Sequence, residues 1–305
     1  MRIALLHHRG RAEVLGPGPA RGSGPASRGH ALMGQATRAG LSVHWSTFGT
    51  GPRPALFLHC SLAHSGAWAR MATHLSDRLS ITAPDLPSHG KTERWTPGMG
   101  DYHDVSTAVA ETFLDGPMDL VGHSFGATVA LRLAVMHPAR VRSLTLIEPV
   151  FFAAARRHAP EIAAAYDATI APFDAAWQAG DRTRAAQVFT DLWGGAGGWA
   201  ALPDAMKDAF ARQIDIVAAS GPALFDDHAG LLSPGVLDRV TMPTLLVEGS
   251  ESLPIIAAVN DALLKELPAA RRAIVTGAGH MAPISHPAPV AQAVAEHLDR
   301  AGTVA

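Results

Sequence analysis

Ser124 stands between two glycines in Leu-Val-Gly-His-Ser-Phe-Gly-Ala, residues 120–127, where an apolar run suited to a strand hands over to a helical one. A G-x-S-x-G pattern at such a junction turns the chain so sharply that the central residue takes a strained backbone conformation and presents its side chain. Gly122 and Gly126 suit the turn because a Cβ at either would strike neighbouring backbone. The run from Ala127 to Met136 carries Val129, Leu131, Leu133 and Val135 and stops short of Pro138, as a helix should. Ser124 is thereby expected at a helix N-terminus, where N–H groups and the macrodipole favour negative charge.

A serine hydroxyl is a weak nucleophile at neutral pH unless a base takes its proton. Of the 16 histidines, His280 is singled out by its place in Ala-Ile-Val-Thr-Gly-Ala-Gly-His, after a strand-like run and on a glycine-softened loop. His286, beside Pro287, reads as structural, and His123 as a packed neighbour pointing to the opposite side of the strand from Ser124. A serine activated by a histidine needs neither a metal nor an organic cofactor, and zinc-site spacings such as H-E-x-x-H do not occur; His7-His8 lies in a tail and is a poor ligand pair.

Positioning an alcohol and an imidazole so far apart in sequence needs a rigid frame. From residue 41 short apolar runs alternate with helical periodicity, the signature of β-α units in a mostly parallel sheet. Strands are expected at Leu41 to Phe48, Ala55 to Cys60, Ser80 to Ala83, Met118 to His123, Val141 to Ile147, Thr244 to Glu248 and Arg272 to Thr276. Several are continuous apolar runs, as in strands covered on both faces. Between Phe151 and about Leu237 the rhythm stops and the chain is alanine-rich and helical, with Trp177, Trp193 and Trp199. The expected organisation is an N-terminal arm over 1–32, an α/β core over 33–150 and 238–305, and a helical cap inserted over 151–237.

The arm carries Arg2, Arg9, Arg11, Arg21 and Arg28 against Glu13 alone, and its apolar run from Ile3 to Leu6 is too short for a secretory signal. It is read as a disordered arm or as a stretch preceding a true start at Met33. The remaining 273 positions can bury a large core, since a chain of this size hides roughly three quarters of its unfolded surface. The 25 basic and 27 acidic residues nearly cancel, which argues against nucleic acid or a membrane surface as partner. Cys60 is the sole cysteine, which fits a cytoplasmic protein.

Together these motifs resemble the α/β-hydrolase superfamily over roughly residues 35 to 300. "LFLHCSLAHSGAW" at Leu56 to Trp68 is similar to its oxyanion loop, "DLPSHGKT" at Asp85 to Thr92 to its D-x-P-G-H-G-x-S turn, and "GHSFGA" to its nucleophile elbow. The resemblance implies a mostly parallel sheet of about eight strands flanked by helices. It also implies a site at the strand C-termini under the helical cap, with Ser124 as nucleophile, His280 as base, and the backbone amides of Ser61 and Phe125 as oxyanion hole. Cys60 and Ser88 stand where the family usually has glycine.

The third member of such a triad usually follows the strand ending at Gly249 as G-x-x-D, yet that aspartate position holds Ser252. Glu251, one residue earlier, is the first choice. Glu148, in Leu-Thr-Leu-Ile-Glu-Pro-Val, is the alternative triad acid, since haloalkane dehalogenases recruit theirs from that place; a carboxylate buried there must be paired or functional. The implied reaction is hydrolysis of a small carboxylic ester or lactone through an acyl-enzyme, in a pocket that Trp68, Phe152, Phe173, Phe225 and the cap tryptophans could line. Two alternatives stay open. Carbon-carbon hydrolysis of a dienone acid would need a cation facing the serine, Arg156 or Arg157; a receptor-like member would bind and hardly turn over. Oligomeric state is not readable.

Overall fold

The computed structural model of the protein describes residues 13–15 and 32–302. Nine strands form one sheet: β1 (Glu13–Leu15), β2 (Leu32–Arg38), β3 (Leu41–Phe48), β4 (Arg53–Leu58), β5 (Leu79–Pro84), β6 (Met118–His123), β7 (Val141–Ile147), β8 (Thr244–Gly249) and β9 (Ala270–Val275). Their spatial order is β1-β9-β8-β7-β6-β4-β5-β3-β2, and only β3 runs against the rest. The alternating apolar and helical segments after residue 41 therefore do build the doubly covered, mostly parallel sheet that their pattern requires.

Two elements depart from expectation. Glu13–Leu15, inside the stretch read as a disordered arm, pairs in parallel with β9, Val14 opposite Ile274; apart from Leu32, which opens β2, the rest of that arm lies outside the described residues. β2 escaped notice because its side chains are nearly all exposed and so carry no apolar alternation. Its signal is the turn: Ala39 and Gly40 both take positive φ, 48° and 82°, the two-residue hairpin geometry whose twist matches paired strands.

The inner strand β4 feeds two cores through its period of two. Leu56 and Leu58 of β4 face one core, with α1 (Tyr102–Glu111) and α2 (Phe125–Met136); Ala55 and Phe57 face the other, with Trp68 and Met71. Asp101 caps α1 by accepting the His103 and Asp104 N–H groups. Between β7 and β8 the chain leaves the sheet for α3 (Phe152–His158), α4 (Pro160–Gln178), α5 (Arg182–Trp193), α6 (Asp204–Gln213), α7 (Asp215–Ala219) and α8 (Gly221–Phe225). It returns at β8, which is followed by α9 (Pro254–Glu266), on the first core, and β9 is followed by α10 (Pro287–Ala301), on the second. No helix among the described residues is long and apolar enough to cross a membrane.

Candidate active site

β6 ends at His123, and Ser124 takes φ 55° and ψ −120°, a left-handed conformation unfavourable for any side chain larger than hydrogen. A Cβ on Gly122 would collide with the Gly126 carbonyl, and one on Gly126 with the Leu58 and His59 carbonyls at the end of β4. The glycines thus serve two close approaches, the turn on itself and the turn against the neighbouring strand.

The Ser124 hydroxyl lies 2.9 Å from Nε2 of His280, which reaches over from the loop after β9. On the other side of the ring, Nδ1 lies 3.1 Å from Oε2 of Glu148. Glu148 is fully buried at the end of β7, with φ 51°, and its Oε1 accepts the Gly249 N–H at 2.6 Å and the Ser252 hydroxyl at 2.7 Å. In the tautomer this geometry favours, Nδ1–H donates to Glu148 and Nε2 accepts from Ser124.

Glu251, the first choice for the carboxylate, does not meet His280. Its side chain is exposed, and its backbone N–H is tied to Ala278 O at 2.9 Å. The tight turn from Gly249 to Ser252 aims Glu251 outward and brings the Ser252 hydroxyl inward instead. The carboxylate beside the ring, that of Glu148, comes from one strand earlier.

A cavity of about 260 Å³ opens from Ser124 and His280. Ser61 and Phe125 lie on its sheet side; Phe152, Tyr166, Phe173, Trp193 and Phe225 come from the helical insertion. Trp193 stands edge-on to the His280 ring, centroids 4.5 Å apart. Trp68, expected in this pocket, is instead buried in the second core against Phe57, while Trp177 and Trp199 are half-buried packing residues outside the cavity lining.

The loop carrying Ser61 is held by two histidines whose roles the sequence alone did not reveal. His59 donates from Nδ1 to Cys60 O at 2.8 Å and accepts the Leu86 N–H at Nε2, 3.0 Å. His89 donates from Nδ1 to Pro87 O and accepts the Leu62 N–H at Nε2, 2.9 Å. Each can act as acceptor only while neutral, and burial lowers His59 to about 4 and His89 to about 3. Asp85 anchors the turn by accepting N–H groups of Ser65 and Lys91; burial pushes its carboxyl up, and these bonds outweigh that and hold it low. Cys60 has an ordinary φ, and the left-handed residue of the loop is Leu62, at 60°. Ser88, by contrast, does take the glycine-like conformation, φ 67°, while its hydroxyl accepts the Trp95 N–H. Burial raises the Cys60 thiol to about 12, so it stays protonated and inert.

His123 is more than packing. Its Nε2–H donates to the carbonyl of His280 at 2.8 Å, and burial, with His280 beside it, lowers it to about 3. The spacing of a histidine immediately before the elbow serine was the available signal. His123→Phe keeps a ring and removes this donor, leaving a carbonyl unsatisfied at about 1–3 kcal/mol. Turnover is expected to fall about tenfold and the thermal midpoint by several degrees, read by steady-state kinetics and calorimetry.

Five histidines share this neutral state: His59, His103 and His297 near 4, His89 and His123 near 3, all lowered chiefly by burial. The unfolded chain binds these protons below about pH 6.5, so their contribution is complete above that pH and is lost as pH falls toward the folded values. Uptake of even two of these five protons on unfolding at pH 5 would give a slope of about 2.7 kcal/mol per pH unit. Urea unfolding between pH 7 and 4.5 is expected to reach or exceed that slope; stability flat over the window would refute it.

A mostly parallel sheet with a serine at a strand-to-helix elbow and an insertion after β7 defines an α/β hydrolase. The chain belongs to the alpha/beta hydrolase family, which it matches over residues 55–293. It is 29% identical over 272 residues to lipase LipV of Mycobacterium tuberculosis, covering 85% of this chain and 98% of that protein. It is also 37% identical to the pimeloyl-[acyl-carrier protein] methyl ester esterase of Nitrosomonas europaea over 106 residues, 35% of this chain and 40% of that one. In fold it is similar to a haloalkane dehalogenase variant from Bradyrhizobium elkanii, with TM-score 0.67, 20% identity, and coverage of 90% and 98% of the two chains.

Proposed function

We propose that this protein is a serine hydrolase that cleaves a small, largely apolar carboxylic ester or lactone through an acyl-enzyme. The observation that carries the reading is the unbroken line from the Ser124 hydroxyl through His280 to the buried Glu148, opening on an apolar cavity. His280 takes the serine proton as Ser124 attacks the carbonyl; Glu148 holds the ring and stabilises the imidazolium. The amides of Ser61 and Phe125 receive the oxyanion, each worth about 3–4 kcal/mol to the transition state. His280 then returns the proton to the leaving alcohol and activates the water that releases the acid. Similarity to a lipase and to a methyl ester esterase supports ester cleavage.

A dienone acid fits less well. Arg156 is the one arginine or lysine among the described lining residues, and it is engaged by Asp167 at 3.0 Å, by Asp226 at 3.5 Å and by the Phe225 carbonyl. Arg157 bonds the Leu232 carbonyl and does not line the cavity. Asp174 adds a second carboxylate to the lining. These groups leave no free positive charge for a substrate carboxylate.

The test is a p-nitrophenyl series of acetate, butyrate, octanoate and palmitate, followed as pre-steady-state release. A burst is expected, with kcat/KM rising about tenfold from acetate to butyrate as methylenes enter the cavity and falling at palmitate. Release without a burst, and equal for all four esters, would overturn the reading.

A further inference from the structure

We infer that Ser252 is a positioning residue that fixes which oxygen of Glu148 faces His280. The inference rests on the proposed role of Glu148 as the orienting carboxylate. The last torsion of a glutamate is broad and two-fold, so packing alone sets its carboxylate plane weakly. Here one oxygen is clamped. Oε1 accepts two short hydrogen bonds, from the Gly249 N–H and the Ser252 hydroxyl, and only Oε2 is left for Nδ1 of His280.

Both donors come from the turn that ends β8, whereas the carboxylate comes from the end of β7. Glu148 N–H bonds Val247 O at 2.7 Å and Ser252 N–H bonds Gly249 O at 3.2 Å, so clamp and carboxylate ride on adjacent, hydrogen-bonded strand ends. Gly249 also packs against the loop after β9, where a Cβ on it would strike the Ala278 carbonyl.

A hydroxyl is the group that suits position 252 once the acid stands at 148. An aspartate there would set a second carboxylate within hydrogen-bonding distance of Oε1, and two charges so close in a buried site repel. A hydroxyl donates to Oε1 and adds no charge. A charge-assisted bond of this kind is stronger than a neutral one, so its loss is felt both in the orientation of the carboxylate and in the imidazolium it must stabilise.

The experiment compares Ser252→Ala and Ser252→Thr in the full chain, alone and in a Glu148→Gln background, with p-nitrophenyl butyrate as substrate. Ser252→Ala is expected to lower kcat about tenfold with KM within about twofold, while Ser252→Thr, which keeps the hydroxyl, recovers most of the loss. The low-field proton resonance of the His280 Nδ1–H is expected to shift or broaden in Ser252→Ala alone. In the Glu148→Gln background the alanine substitution should cost little more, because both changes act on one interaction. A kcat within twofold of wild type in Ser252→Ala with the resonance unmoved overturns the proposal, as does an equal loss from Ser252→Ala in both backgrounds. If Glu148→Gln itself leaves turnover intact, it is the reading of Glu148 that fails.

Discussion

Ser124→Ala is expected to abolish the acyl-enzyme burst and to lower kcat by about 10⁶-fold, the scale seen when a triad nucleophile is removed. The fold should survive, because alanine keeps the backbone and Ser124 is held by its own N–H bond to Ile147 O at 2.9 Å and by the helix that follows. Alanine also keeps the strain of φ 55°. Ser124→Gly would relieve it, so the glycine variant should be equally inactive yet more stable than the alanine variant, by about 1 kcal/mol. Urea titration of the pair measures that difference. Residual turnover above about 1% in either variant would show that another group attacks the ester.

Glu148→Gln is expected to lower kcat about 10⁴-fold, the loss found when a triad carboxylate becomes an amide and favours the wrong histidine tautomer. Glutamine keeps the shape, and its amide can still approach Nδ1, but it offers no negative charge to the imidazolium. It also sets an NH₂ either against Nδ1–H or against the Gly249 and Ser252 donors, since one end of the amide must face each. Glu251→Gln should leave kcat within about twofold, because that side chain is exposed and His280 is already paired. The reverse ranking of the two variants in parallel kinetics would return the acid to the β8 turn.

What the chain's local order determined by itself is considerable. Met118–His123 and Val141–Ile147 stand where their apolar runs predicted, and the elbow, the helix after it, the loop bearing His280 and the helical insertion are legible as short-range patterns. Such patterns record whether a segment repeats every two residues or every 3.6, and strand β2, with both faces exposed, falls outside that code. Only the tertiary structure decided which of two carboxylates reaches His280, because that depends on backbone direction at two turns: positive φ at Glu148 sends its side chain inward, and the tight turn after Gly249 sends Glu251 outward. The cavity wall is likewise a matter of packing, with Trp193 brought to His280 while Trp68 goes to the second core. Residues more than a hundred positions apart meet where strand ends and helices dock, and the free energy that selects those contacts comes from burying both cores together, not from any one segment's preference.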